Sequence, residues 1–394
     1  MKKTGKIVGL YDKYIMNTYK RVPLCIEKAK GSKLWDIDGK EYLDFFPGWA
    51  VSGIGHCHPR VVAAINKQAK KLLHVSNNYY SELQARLAEA IIKNSYQGKV
   101  FFANSGAEAN EAAVKLARKY GHDKGKFEII TMTKSFHGRT LAMITATGQD
   151  KVKIGFEPLP AGFLHVPFND IEAVKEAVTD KTAAVMLEPV QCEGGINIAT
   201  PGYMKSLRAL CDEKDIVLIL DEVQTGMGRA GKMFAYQNYG IEPDVITLAK
   251  ALGGGLPIGA CVARGKFGDV LTPGTHASTF GGSPIVCAAG LAVFEAISAD
   301  KLLQNTNKMG AYLRKKLEEL KKKYRFVKEI RTMALIIGVE LSIKGEDIYK
   351  ECMKEGLLIN CTQDTVLRIM PPLNVTKTEI DKAVSILDKV FSKI

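Results

Sequence analysis

The sequence has 394 residues, enough for a large core and for two domains. Hydrophobic residues make up 46% and charged residues 25%, as in ordinary soluble globular proteins, and no apolar run is long enough to span a bilayer. The formal net charge of +13 permits nucleic-acid binding. The lysines are dispersed, however, so we expect a basic surface that aids solubility or attracts small anionic substrates.

Residues 1–14 carry positive charge without an apolar segment, which predicts no signal peptide and a cytoplasmic protein. The eight cysteines form no CxxC pair, so we expect reduced thiols rather than a disulfide framework. His56 and His58 have a spacing found in metal sites, but no distant cluster of ligands accompanies them. We therefore expect no metal.

The middle of the chain alternates apolar runs with helix-like stretches. The predicted strands lie at 99–104, 127–132, 183–189, 216–223, 244–249 and 258–263, and the predicted helices lie at 107–121 and 201–214. Near-continuous apolar strands separated by helices predict an α/β fold with a mostly parallel sheet buried on both faces. Ligands of such sheets bind at the carboxyl ends of the strands.

Polar groups follow the apolar runs of three of these strands. Ser105 and Gly106 lead from a strand into a helix, where backbone N–H groups can bind an anion. Asp221 follows five apolar residues and is expected to be partly buried, so it needs a partner. Lys250 follows the strand at 244–249 and precedes the glycines 253–255. These three groups match the phosphate, the ring nitrogen and the aldehyde of pyridoxal 5'-phosphate.

The chain resembles the class III pyridoxal-phosphate aminotransferases over nearly its whole length. The motifs that carry the resemblance are NSGAEANEAAVKLARKYG, SFHGRTL, EPVQCEGGI, DEVQTGMGRAGK, TLAKALGGGLPIGA and GTHASTFGGSP. The resemblance implies the type I aminotransferase fold, with a large domain over 46–290 and a small α+β domain built from 1–45 and 291–394. It also implies a homodimer.

The resemblance assigns roles to particular residues. For the cofactor, Lys250 would form the Schiff base, Asp221 would pair with the ring nitrogen, and the other contacts would come from Ser105, Gly106, Ala107, Phe136, Val223, Gln224 and Thr279. Thr279 would reach the cofactor of the neighbouring subunit. For the substrate, the contacts would come from Arg139, Ser278, Glu193 and Arg368, and the last two would form a switchable ion pair.

Within the family, the chain is most similar to members that transfer the terminal amino group of N2-acetylornithine to 2-oxoglutarate, a step of arginine biosynthesis. Ornithine, succinyldiaminopimelate and 4-aminobutyrate stay open as amino donors, because family members share the same core residues. A basic nucleic-acid-binding protein on a degenerate enzyme fold also stays open. The chain departs from the family pattern at Trp49, Cys192 and Ser283, and the first two bear on substrate choice.

Overall fold

The computed structural model describes residues 3–394, so residues 1 and 2 of the predicted small domain lie outside it. The helices of this part of the chain are α1 (Lys3–Tyr14), α2 (Pro59–Ala69), α3 (Glu82–Asn94), α4 (Gly106–Gly121), α5 (Leu141–Ala146), α6 (Ile171–Ala177), α7 (Pro201–Lys214), α8 (Pro284–Ala299), α9 (Leu302–Lys323), α10 (Glu346–Lys354) and α11 (Lys377–Phe391).

The strands are β1 (Ile26–Lys30), β2 (Lys33–Asp36), β3 (Glu41–Asp44), β4 (Gly98–Ala103), β5 (Glu128–Met132), β6 (Phe163–Val166), β7 (Thr182–Leu187), β8 (Val190–Gln191), β9 (Asn197–Ile198), β10 (Val217–Asp221), β11 (Val245–Leu248), β12 (Gly259–Arg264), β13 (Val327–Met333), β14 (Ile336–Leu341), β15 (Leu357–Leu358), β16 (Asn360–Thr362) and β17 (Val366–Ile369).

Seven strands form the central sheet, in the order β4-β12-β11-β10-β7-β5-β6. Strands β11, β10, β7, β5 and β6 pair in parallel, and β12 runs antiparallel to both of its neighbours. The mostly parallel sheet is therefore confirmed. Each strand and helix predicted in this region ends within two residues of its observed limits.

The central strands are buried because helices cover both faces of the sheet. Every residue of β7, β10 and β11 is buried, as their near-continuous apolar sequences indicate. Helix α4 packs on the sheet through small side chains, among them Ala109, Ala112, Ala113 and Ala117. These alanines let α4 approach the strands closely, which places the first turn of α4 near the carboxyl ends of β10 and β11.

Both ends of the chain build the smaller part of the molecule. One four-stranded sheet has the order β1-β2-β3-β15, in which β15 pairs in parallel with β3, and another has the order β13-β14-β17-β16. Thr376 and Glu379 form a capping box at the start of α11, and the Ser32 hydroxyl donates to Glu379 Oε1. The N-terminal sheet is thus tied to the last helix.

Helix α8 runs without a break across residue 290, so the boundary expected between 290 and 291 falls inside a helix. The division into two domains at these positions stays a prediction. No helix among residues 3–394 has the length and apolar character needed to cross a membrane.

Each of the two histidines considered as metal ligands lies beside a carboxylate. His56 Nε2 lies 2.8 Å from Asp44 Oδ2, and His58 Nε2 lies 3.0 Å from Asp300 Oδ2. Within residues 3–394, no group of three or more His, Cys, Asp or Glu side chains is arranged to hold a metal ion. All eight cysteines are free thiols.

Candidate active site

A cavity of about 620 Å³ opens at the edge of the central sheet where the parallel strands end. It is lined by ten of the thirteen residues that the sequence singles out: Ser105, Gly106, Ala107, Phe136, Arg139, Glu193, Asp221, Val223, Gln224 and Lys250. The other three, Ser278, Thr279 and Arg368, lie outside its lining.

The topology of the sheet brings three ionisable side chains to this edge. Strands β11, β10 and β7 are parallel neighbours, and their carboxyl ends lead to Lys250, Asp221 and Glu188 respectively. Lys250 begins a short 3-10 turn, Lys250–Gly253, and has a left-handed backbone with φ of 44°. This conformation is strained for a residue with a side chain. The surrounding packing must therefore hold Lys250 in place.

The glycines after Lys250 allow that packing. A Cβ on Gly254 would lie 2.9 Å from Val293 Cγ2 of α8, and Gly254 itself has φ of 58°. Only glycine meets both conditions without strain. The glycine stretch thus lets the turn that carries Lys250 pack directly on α8.

The amine of Lys250 has no hydrogen-bond or ion-pair partner among residues 3–394, and its side chain is half-buried. Burial lowers the pKa of Lys250 below its usual value, although the carboxylates of Glu193 and Asp221 act in the opposite direction. A lower pKa leaves a larger fraction of the amine unprotonated. Lys250 is therefore suited to act as a nucleophile or base.

The Asp221 carboxylate is buried and receives three contacts. Asn110 Nδ2 donates to Oδ2 at 2.8 Å, His137 Nδ1 lies 2.9 Å from the same oxygen, and Val223 N donates to Oδ1 at 3.0 Å. Thr247 Oγ1 holds the amide of Asn110 by donating to Oδ1 at 2.6 Å. These contacts fix the carboxylate at the cavity wall.

The start of α4 supplies an anion site beside these groups. Ser105 caps the helix, since its Oγ accepts from Glu108 N at 3.2 Å, and the first helical residues Gly106 and Ala107 line the cavity. A Cβ on Gly106 would lie only 2.8 Å from Val223 Cγ1. Gly106 therefore lets the helix terminus approach the cavity closely enough for its N–H groups to bind a phosphate.

Two arginines near the cavity differ in their partners. Arg139 is exposed, stacks against Phe136 with its Cζ 5.5 Å from the ring centroid, and has no carboxylate partner in the described chain. Arg368 is completely buried and donates to both oxygens of Glu193, at 2.6 and 3.1 Å. Arg139 is thus free to bind an anion, whereas Arg368 is occupied.

Further contacts hold Arg368. Its Nε and Nη2 donate to Asn360 Oδ1 at 3.2 and 2.8 Å, and its Nη1 donates to Cys192 O at 2.9 Å. Burial would raise the pKa of Glu193, but the charge and hydrogen bonds of Arg368 bring this pKa below its usual value. The Glu193 side chain is 18% exposed, whereas the Arg368 side chain is completely buried.

Trp49 and Cys192, where the chain departs from the family pattern, both lie against this ion pair. Arg368 Cζ lies 5.2 Å from the ring centroid of Trp49 and 4.4 Å from that of Phe46. Cys192 packs in a buried apolar cluster, and burial raises the pKa of its thiol to about 12. Ser283, the third departure, precedes α8 and donates to Phe280 O at 2.7 Å.

The remaining predicted residues border the anion site or face solvent. Ser278 Oγ accepts from Asn104 Nδ2 at 3.2 Å and from Gly281 N at 3.1 Å, so Ser278 lies beside the start of α4. Thr279 is exposed. Its contact with a neighbouring subunit stays a prediction.

The polar residues of the cavity that were given no role from the sequence include Asn110, His137 and Glu188. Asn110 and His137 fall inside quoted motifs, but their common partner, Asp221, is far away in the sequence. Glu188 does carry a local signal. It follows the apolar run 183–187 just as Asp221 follows 216–220.

The cavity residues fit pyridoxal 5'-phosphate. Lys250 offers an unpaired amine, the start of α4 offers N–H groups behind a glycine, and Asp221 offers a fixed carboxylate. These are the three groups that this cofactor needs.

Comparisons with known proteins agree with this geometry. The Aminotransferase class-III family model matches residues 14–391. The acetylornithine aminotransferases of Methanocaldococcus jannaschii and Caldanaerobacter subterraneus subsp. tengcongensis are 52% and 54% identical to the chain. The first alignment covers 98% of both chains, and the second covers 97% of this chain and 98% of the relative.

Solved structures confirm the type I fold. The ornithine aminotransferase of Toxoplasma gondii ME49 superposes with a TM-score of 0.96 at 34% identity, covering 100% of this chain and 96% of that one. A second structure of the Toxoplasma enzyme, with a TM-score of 0.95 at 34% identity over 99% and 94% of the two chains, has pyridoxal phosphate at partial occupancy in its active site. The acetylornithine aminotransferase of Elizabethkingia anophelis has a TM-score of 0.90 at 30% identity, with full coverage of both chains. The protein belongs to the class-III aminotransferases.

Proposed function

We propose that the protein transfers the terminal amino group of N2-acetylornithine to 2-oxoglutarate, giving N-acetylglutamate 5-semialdehyde and glutamate, in arginine biosynthesis. Amino transfer is supported by Lys250 and Asp221, which face one cavity beside the anion site of α4. The observation that carries the choice of donor is the identity of 52% and 54%, over nearly the whole chain, to relatives named acetylornithine aminotransferase.

Pyridoxal 5'-phosphate, when bound, supplies an aldehyde that takes up the amino group and a ring that withdraws electrons from the reacting carbon. Lys250 holds and returns the proton at that carbon, because its lowered pKa makes the amine a usable base. Asp221 stays oriented by Asn110, His137 and Val223, and it favours a positive charge on the group that it faces.

Arg139 and the Glu193–Arg368 pair distinguish the substrates by the positions of their carboxylates. Arg139 binds a carboxylate remote from the reacting amine, since its guanidinium has no other anion to pair with. The Glu193–Arg368 ion pair has no net charge. It can therefore lie next to the reacting carbon of acetylornithine, which carries no carboxylate. When glutamate brings an α-carboxylate, the Glu193 side chain swings away and frees Arg368 to bind it.

Ornithine is the second candidate donor, because two ornithine aminotransferase structures superpose with TM-scores of 0.96 and 0.95. The test is a panel of acetylornithine, ornithine, succinyldiaminopimelate and 4-aminobutyrate against 2-oxoglutarate. We expect acetylornithine to have the highest kcat/KM. A higher value for another donor would overturn the choice of substrate.

The same assay with Lys250→Ala tests amino transfer itself. We expect this variant to lose turnover and the yellow colour. It should also fail to form the stable adduct that borohydride reduction makes from the Schiff base of Lys250 and the cofactor. Lys151→Ala, at an exposed position, serves as the control and should keep all three. Substantial turnover by Lys250→Ala would refute the role of Lys250.

Asp221→Asn should fold but react far more slowly. Loss of a charge-assisted hydrogen bond in a buried site costs roughly 2 to 5 kcal/mol, which corresponds to a rate lower by roughly 30-fold to several thousand-fold. The measurement is kcat with acetylornithine, with Asp180→Asn at an exposed position as the control. A kcat near that of the wild type would mean that another residue serves the ring nitrogen.

Variants of the Glu193–Arg368 pair should separate the two half-reactions. Glu193→Ala leaves Arg368 permanently unpaired, so we expect the glutamate half-reaction to survive or improve and the acetylornithine half-reaction to slow. Arg368→Ala should slow the reactions of glutamate and 2-oxoglutarate first. Single-turnover absorbance measurements follow each half-reaction by itself. Equal damage to both half-reactions by both variants would refute the switch.

We further propose that the active form is a cytoplasmic homodimer in which Thr279 contacts the cofactor of the other subunit. Phe280, which follows Thr279, is strongly exposed, and so are Tyr79 and Tyr80. Asn77 ties their two segments together by donating to Ser278 O and Gly281 O, both at 3.0 Å. An exposed apolar patch of this kind supports a protein contact at this position.

Complementation tests the shared site. Lys250→Ala and Thr279→Ala chains should each have little activity alone. After subunit exchange, about a quarter of all sites would combine a native Lys250 with a native Thr279, so activity should return. Proven exchange without recovery of activity would refute the role of Thr279.

A further inference from the structure

Glu188 lines the cavity, and the function proposed above assigns it no role. It directly follows β7, whose six residues are all buried, and β7 lies between β10 and β5 in the sheet. Glu188 itself is only 6% exposed. The residue therefore stands beside Asp221, at the edge where the parallel strands end.

Glu188 has fewer partners than the other buried carboxylates nearby. Its Oε2 accepts one hydrogen bond, from Phe136 N at 3.0 Å, and its Oε1 has no hydrogen bond within residues 3–394. By contrast, Asp221 receives three contacts and Glu193 binds Arg368 through both oxygens. Glu222 accepts from Ala235 N and Tyr236 N, at 2.7 and 2.8 Å.

The surroundings of Glu188 disfavour a negative charge. Burial raises the pKa of Glu188 well above its usual value, and the Asp221 and Glu193 carboxylates raise it further. The hydrogen bond from Phe136 N and the charge of Lys250 act in the opposite direction but do not outweigh them. No arginine, lysine or histidine of the described chain forms an ion pair with Glu188.

We propose that Glu188 is a positioning residue that remains a neutral carboxylic acid. Its Oε2 holds the main chain of Phe136, and its proton resides on Oε1, which faces the cavity as a hydrogen-bond donor. Arg139 lies three residues after Phe136, so Glu188 positions both Phe136 in the cavity wall and the guanidinium that would bind the substrate. The role of Glu188 in the reaction rests on the amino-transfer function proposed above.

A neutral Glu188 removes a third negative charge from the cavity. An ionised Glu188 would raise the pKa of Lys250 and would repel the phosphate and carboxylates that the site is proposed to bind. The protonated form avoids both effects and still anchors Phe136. The fold can therefore place three acidic side chains around one amine without converting that amine into a permanent cation.

The protonation state can be measured on the cofactor-free protein by infrared difference spectroscopy at neutral pH. Subtracting the spectrum of Glu188→Gln from that of the wild type should reveal the carbonyl band of a protonated carboxylic acid. Glu193→Gln is the matched control, a cavity glutamate whose loss should remove a carboxylate band instead. Loss of only a carboxylate band in Glu188→Gln would overturn the proposal, whatever reaction the enzyme catalyses.

Two readouts test the positioning role. Glu188→Ala should weaken the binding of pyridoxal 5'-phosphate to the cofactor-free protein by about tenfold, because the N–H of Phe136 loses its acceptor. Glu188→Gln should restore most of this affinity, since an amide oxygen can accept the same bond. In the enzyme with bound cofactor, the visible absorbance changes with pH. The midpoint of this pH titration should be the same in Glu188→Gln and the wild type.

Two results would contradict this role. If the midpoint of the absorbance titration is lower by about one pH unit or more in Glu188→Gln, the wild-type residue carries a negative charge. Equal affinity for the cofactor in Glu188→Ala and the wild type would show that Glu188 does not position Phe136. If Glu188→Gln does not fold, Glu188→Met, of similar volume, replaces it in the infrared measurement.

Discussion

The buried carboxylate of Asp221 is the constraint around which the site is assembled. A negative charge at this depth is stable only with several donors around it. Its donors come from three separate segments, namely α4 through Asn110, the stretch after β5 through His137, and the turn after β10 through Val223. Satisfying one side chain therefore fixes the start of the anion site, the segment of Phe136 and Arg139, and the loop of Gln224 relative to one another.

The charges of the cavity follow a consistent pattern. The acidic groups differ in their partners: Asp221 has three contacts from separate segments, Glu193 has an arginine, and Glu188 has one backbone N–H. Lys250 and Arg139 are the two cavity cations without partners in the described chain. The groups left unsatisfied are thus those suited to meet an aldehyde and a carboxylate, which are the groups that the cofactor and substrates would bring.

The sequence could predict those parts of the fold that have a local signature. Strands β7, β10 and β11 are buried on both faces, so their apolar runs are unbroken, and α4 has a capped start and a face of alanines. Strand β6 was not predicted, because it lies at the sheet edge and only one of its four residues is buried, so it has no unbroken apolar run. Helix α1 was also not predicted: Ile7, Leu10, Tyr11 and Tyr14 have helical spacing, but none of the residues of this helix is buried in the structure.

Long-range contacts explain what the sequence could not predict in the site. Arg368 reaches Asn360 and Cys192 O only because β17 pairs with β16 and approaches the turn after β8. The pairing of His137 and Asn110 with Asp221 likewise joins residues 84 and 111 positions apart. Glu188 could have been found, because a carboxylate directly after a buried strand is the same pattern that identified Asp221.

The uninterrupted helix α8 has a consequence for how the chain can be divided. It packs against α2, α3 and α9, and its buried residues run from Val286 to Ile297. A protease cut or a gene truncation at residue 290 would leave two half-helices, each with apolar side chains exposed to water. Neither fragment would bury these side chains, so the parts of the chain before and after residue 290 are not expected to fold as independent modules.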